Sequence, residues 1–149
     1  MIEEKIFKEF NELVLDTSIY IEYFKEEENE IKKILRKFLF NENSSIQLLG
    51  HYILKSEIYY ILCRFLEKEK INSIMKEIDK FIIFIGGEFL FQLAGEIKCK
   101  YPIALSDCFS IAIGIIYKCP VIFLKERELT EDRILSINQE FNVKIEIIP

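Results

Sequence analysis

Apolar residues follow two rhythms along this chain. At Leu13-Val14-Leu15, Phe81-Ile82-Ile83-Phe84-Ile85 and Val121-Ile122-Phe123-Leu124 they run without a break, as strands covered on both faces require. Elsewhere they recur at intervals of three and four, as in Ile31, Ile34, Leu35, Phe38 and Leu39, the spacing that lays one stripe along a helix. The pattern predicts strands over 12–15, 46–49, 81–85, 121–124 and 143–148. It predicts helices over 18–25, 26–40, 51–67, 72–80, 88–100, 106–118 and 131–137, after a charged helical lead-in over 1–11. Thr17 or Ser18 stands where the first of these helices needs a cap. Loops fall at 41–45, at Gly86-Gly87 and at Tyr101-Pro102. Short apolar strands alternating with helices specify an α/β domain with a mostly parallel sheet.

Four carboxylates sit awkwardly in this pattern. Asp16 directly ends the first strand. Glu57 lies within the apolar stripe of Ile53, Leu54, Ile58, Ile61, Leu62 and Phe65, so it points toward the interior unless it reaches round the edge of the stripe to solvent or to a basic partner. Asp107 opens a helix that is apolar nearly all round; a capping role is the alternative there. Glu126 follows the strand over 121–124. In open parallel sheets the functional crevice lies beyond the carboxyl ends of the strands, and if the first and fourth strands are neighbours, Asp16 and Glu126 reach the same edge. Clustered carboxylates offset their repulsion by holding a hard cation, Mg²⁺ or Mn²⁺, and metal-assisted phosphoryl chemistry is the natural use of such a site. The expectation is a metal-dependent nuclease.

Composition narrows this further. With 149 residues, half of them hydrophobic, the chain is expected to form one domain over 1–149. Its 20 basic and 25 acidic residues give a net charge of −5, which excludes a protein held on nucleic acid by a broad basic surface. Any RNA contact is local, with Lys125 and Arg127 beside Glu126 as the candidates and solvated surface charge as their alternative. Cys63, Cys99, Cys108 and Cys119 form no C-x-x-C pair, which points to buried free thiols in a reducing cytoplasm. The amino terminus has no apolar signal core, and Asp107, Lys118 and Pro120 interrupt the most apolar stretch, so a soluble cytoplasmic protein without a membrane span is expected.

Other chemistries fit less well. His51 has no nucleophile or acid at a suggestive spacing and reads as a partly exposed structural histidine. No phosphate-cradling G-x-x-x-x-G-K-[ST] loop exists. A phosphotransfer receiver wants a further acidic pair early in the chain, and a haloacid-dehalogenase-like phosphatase wants a second aspartate where Ser18 stands.

Val14-Leu15-Asp16-Thr17-Ser18, then Ser56-Glu57, then Ala104-Leu105-Ser106-Asp107, then Val121 through Leu129, in this order and across essentially the whole chain, resemble the PIN domain family. The resemblance implies a three-layer α/β/α sandwich around a twisted parallel sheet. It also implies a Mg²⁺- or Mn²⁺-dependent nuclease, commonly cutting single-stranded or structured RNA, and many small members are VapC-type toxins neutralised by an antitoxin. Position by position, the family's acids fall on Asp16, Glu57 and Asp107, and its hydroxyls on Thr17 and Ser18, which would position water or cap the helix. The fourth motif departs: Leu124, Lys125 and Glu126 replace threonine, spacer and aspartate, losing a hydroxyl and lengthening the acid, with Glu128 a further acidic candidate. In this reading Asp16 and Asp107 hold one cation, Glu57 serves as a ligand or stands behind the ligands, and Glu126 assists. A processing nuclease outside a toxin system and a binding module with a damaged site are the alternatives.

Apolar residues just after the first strand, Ile19, Tyr20, Tyr23 and Phe24, together with Tyr59-Tyr60, exceed what one small core absorbs. A homodimer, or an antitoxin helix docked there, is expected.

Overall fold

The computed structural model describes residues 4–148. Five strands, β1 (Glu12–Leu15), β2 (Gln47–His51), β3 (Ile82–Ile85), β4 (Val121–Leu124) and β5 (Ile145–Ile148), form one sheet in the order β3-β2-β1-β4-β5. Every pairing is parallel. The helices are α1 (Lys5–Glu9), α2 (Thr17–Phe24), α3 (Glu30–Phe38), α4 (Tyr52–Leu62), α5 (Lys68–Phe81), α6 (Glu88–Lys100), α7 (Leu105–Tyr117) and α8 (Glu131–Phe141). From β1 the chain builds outward through β2 to β3, then returns across the sheet to lay β4 on the other side of β1. The strand order therefore reverses between β1 and β4, where connections leave for opposite faces and a crevice opens.

Alternation along the strands divides the core in two. Leu13, Leu15, Leu48, Ile82, Ile122 and Ile148 face one layer, packed with Ile19 and Tyr20 of α2, Leu54, Ile58 and Leu62 of α4, and Ile71, Ile74 and Ile78 of α5. Val14, Leu49, Val121, Phe123 and Ile145 face the other, against Leu90 and Ile97 of α6, Phe109 and Ile111 of α7 and Ile137 of α8. This is the α/β/α sandwich expected from the sequence. Close approach of α7 to the sheet depends on Gly114, where a Cβ would fall 2.3 Å from a methyl of Val121. Any larger residue must push the helix off the strand.

Several local expectations are corrected. The helix expected over 26–40 begins at Glu30, because the Asn29 side chain accepts from the Lys32 amide and caps it. The helix expected over 51–67 ends at Leu62, and α5 starts at Lys68 rather than at residue 72. β2 extends through His51, which is buried, not partly exposed. Asp16, rather than Thr17 or Ser18, caps α2, accepting from the Ser18 amide at 3.2 Å. All four cysteines are free, but only Cys108 and Cys119 are buried; Cys63 and Cys99 are exposed. Ile19 and Tyr20, expected to add to a surplus apolar surface, are fully buried in the core. No helix among the described residues is long and apolar enough to cross a membrane.

Candidate metal centre

The β1–β4 pairing carries the chain to the site. Val14 and Leu15 register with Val121 and Ile122, and the Asp16 amide donates to the Ile122 carbonyl at 2.9 Å, so Asp16 leaves the sheet beside the strand that leads to Glu126. Asp107 arrives from a third direction, in the first turn of α7. One carboxylate oxygen from each of Asp16, Asp107 and Glu126 lies within 4.8 Å of the other two. Asp16 and Asp107 are buried and Glu126 is half-buried. None of the three pairs with a basic side chain among the described residues.

Hydroxyl groups organise the acids. Ser18 Oγ donates to Asp16 Oδ2 at 2.6 Å and steadies the first carboxylate. Thr17 Oγ1 donates to Glu57 Oε1 at 2.9 Å. The Ser106 hydroxyl lies close enough to favour the charged form of Glu57. Glu57 thus reaches the site from α4, half-buried and tethered to the start of α2, but it stands outside the three-carboxylate cluster. Ser106 was not singled out from the sequence; its place immediately before Asp107, at the start of a buried helix, was the available signal. Lys125 and Arg127 flank Glu126 and are exposed, as is Glu128.

Electrostatics show the cost of this arrangement. Burial, then the charges of Asp16 and Glu126, push the Asp107 carboxyl far above the usual carboxylate range. Burial and the Asp16 charge likewise push Glu126 up. Glu57 is raised chiefly by burial, while its Thr17 and Ser106 partners favour the charged form. Asp107 Oδ2 is buried without a hydrogen-bond partner, a fate it shares, among the described residues, only with the Tyr20 hydroxyl. Helix capping does not account for it, because the cap position of α7 is Ala104. A buried carboxylate oxygen left bare costs about 1–3 kcal/mol or more. Three acids converging on one point with no basic partner, one of them with a buried oxygen that no donor meets, form a donor set that suits a hard divalent cation.

The PIN domain profile matches residues 13–134. The chain belongs to the PIN domain family. This span takes in Asp16, Glu57, Asp107 and Glu126. No curated protein sequence matches the chain. Among solved structures, this PIN domain resembles a chain of VapBC2 from Rickettsia felis bound to a DNA fragment from their promoter, with a TM-score of 0.64 and 14% identity over 91% of this chain and 98% of that one. It also resembles a chain of a toxin-antitoxin complex from Klebsiella pneumoniae, with a TM-score of 0.62 and 17% identity over 80% and 91% of the two chains. A third likeness is FitAcB from Neisseria gonorrhoeae, with a TM-score of 0.57 and 16% identity over 90% and 96%. At these identities the likeness is one of fold.

Proposed function

We propose that this PIN domain is a divalent-metal-dependent endoribonuclease, the toxin of a toxin-antitoxin pair. The observation that carries the reading is the convergence of Asp16, Asp107 and Glu126 at the reversal of strand order, with an Asp107 oxygen left unbonded. Those three residues would hold Mg²⁺ or Mn²⁺. When bound, such an ion supplies Lewis acidity at phosphorus and lowers the pKa of a ligated water. Glu57, held by Thr17 and raised by burial, is suited to take the proton from the attacking water. Ser18 keeps the Asp16 carboxylate in one orientation, so that little rearrangement is needed as charge develops. Lys125 and Arg127, exposed on either side of Glu126, would meet phosphate oxygens.

Glu126 departs from the family's aspartate, which is the feature that favours a binding module with a damaged site. Its longer side chain nevertheless brings an oxygen into the cluster, and this supports the active enzyme. Antitoxin partnership is supported by the likeness in fold to a chain of a toxin-antitoxin complex and by exposed aromatic residues at Tyr52, Tyr59, Phe89 and Phe91, which are also candidates for a homodimer contact. A cytoplasmic location follows from that role.

Incubating the chain with single-stranded and hairpin RNA in Mn²⁺ or Mg²⁺ tests the proposal. Metal-dependent cleavage, abolished by EDTA and by Asp16→Asn, is expected. Folded wild-type protein that binds RNA but cleaves none of it with either ion establishes the binding module instead. Growth arrest on bacterial expression, relieved by the same substitution, separates a toxin from a processing enzyme.

A further inference from the structure

On α4 Tyr60 lies three residues beyond Glu57, the spacing that puts the two on neighbouring positions of one helical face, and Arg64 follows two residues past the end of the helix. Tyr60 is 48% exposed. The Arg64 guanidinium lies over its ring, 5.6 Å from the centroid. Exposed tyrosine at this level of accessibility is otherwise unremarked in an apolar chain, but its companion is unusual. Arg36 is paired with Glu28, and Arg133 donates to the Glu128 carbonyl. Among the described residues that leaves Arg64 and Arg127 with no hydrogen-bonded or ion-paired partner, and these two stand on the two segments that carry Glu57 and Glu126. In a chain with more acids than bases, free guanidinium groups beside the acidic site are where a polyanion can approach.

The geometry points to Tyr60 and Arg64 as a substrate ledge that stacks one unpaired nucleobase of a single-stranded nucleic acid and contacts its adjoining phosphate. The inference rests on the nuclease reading for its substrate but not for its test. An aromatic ring offers any base a flat face without regard to sequence, and a guanidinium can both stack and meet phosphate. Base-paired RNA has its bases stacked on one another and unavailable to Tyr60, so the ledge selects loops and unpaired tails over duplex. Tyr60 lies one helical turn from Glu57, which sets the ledge beside the acidic site. A protein partner would be served as well by a bare aromatic ring; the free cation on the ring favours nucleic acid.

Binding separates this ledge from the catalytic proposal. Anisotropy of a labelled single-stranded RNA of about ten nucleotides, measured with the full chain in EDTA so that no cleavage intervenes, is expected to show affinity falling about tenfold in Tyr60→Ala and by less than about twofold in Tyr60→Phe. An abasic site walked along the RNA should weaken wild-type binding at one position and have no further effect there in Tyr60→Ala. Arg64→Gln should reduce the slope of log affinity against log salt by about 0.7. Thermal melts confirm that each variant is folded, and the phenylalanine variant controls for a purely structural loss. Unchanged binding in Tyr60→Ala, or an equal loss in Tyr60→Phe, overturns the ledge and leaves that surface to a protein partner. If wild type cleaves RNA while Tyr60→Ala binds normally, the ledge fails and the nuclease stands; if nothing is cleaved but binding depends on Tyr60, the reverse holds.

Discussion

Two buried polar groups lie one helical turn apart on α7 and are built on opposite principles. Ser110 meets His51 Nε2 at 3.2 Å, and His51 Nδ1 accepts from the Leu54 amide at 3.1 Å as the cap of α4, so both ring nitrogens are used. Asp107, a turn earlier, faces two further acids and leaves one oxygen bare. The first group is complete as it stands and serves the architecture, joining β2 and α4 to α7. The second repels itself as it stands and would be completed by a cation. A buried polar cluster that satisfies itself stabilises a fold; one that repels itself is kept for what it binds.

One substitution at each group tests that contrast. Asp107→Asn keeps the shape and removes the ionisable carboxyl, and it should cut RNA cleavage by at least about a hundredfold while raising the stability of the metal-free chain by about 1–2 kcal/mol, read from denaturant melts. His51→Ala should do the opposite, lowering stability by about 2–4 kcal/mol through a lost cap and an unpaired Ser110. Cleavage by the fraction that stays folded should change little. If both substitutions destabilise alike, the acids are architecture too, and the contrast is lost.

The smallest expected effect is in the pH dependence of the metal-free chain. Burial lowers the His51 pKa to about 4, so its contribution to stability is complete above about pH 6.5 and is lost as pH falls toward 4. Asp107 and Glu126 have the reverse sign: raised in the folded state, they favour it below the ordinary carboxylate range and lose that contribution as pH rises toward and past neutrality. Stability should therefore peak on the mildly acidic side and decline by about 1 kcal/mol or more toward alkaline pH, and Asp107→Asn should flatten the alkaline decline alone. A profile that the substitution leaves unchanged would contradict the assignment.

Much of this was legible in the residues. The unbroken run ending at Asp16 announced both a buried strand and a misplaced charge, and the all-apolar helix after Asp107 could only be interior. What spacing could not give was distance. Glu57 read as inward-facing, and it is, but its tether to the Thr17 hydroxyl sets it beside the cluster rather than in it. His51 was misjudged because a strand that runs straight into a helix leaves no turn residue to mark the junction, and the ring itself serves as the cap. Likewise Glu26, Glu27 and Glu28 looked like the exposed start of a helix, whereas Asn29 begins it, since a charge run carries no capping information and an asparagine does.

Titrating the metal-free chain with Mn²⁺ by calorimetry, in two buffers of different ionisation enthalpy near pH 7, tests the central claim most directly. Carboxyl groups that hold protons because they are buried and repel one another must release them to a cation, so binding should be accompanied by net proton release, and Asp107→Asn should abolish the binding or strip it of that release. Absence of Mn²⁺ binding to the folded wild-type chain, or binding with neither proton release nor dependence on Asp107, would contradict the account.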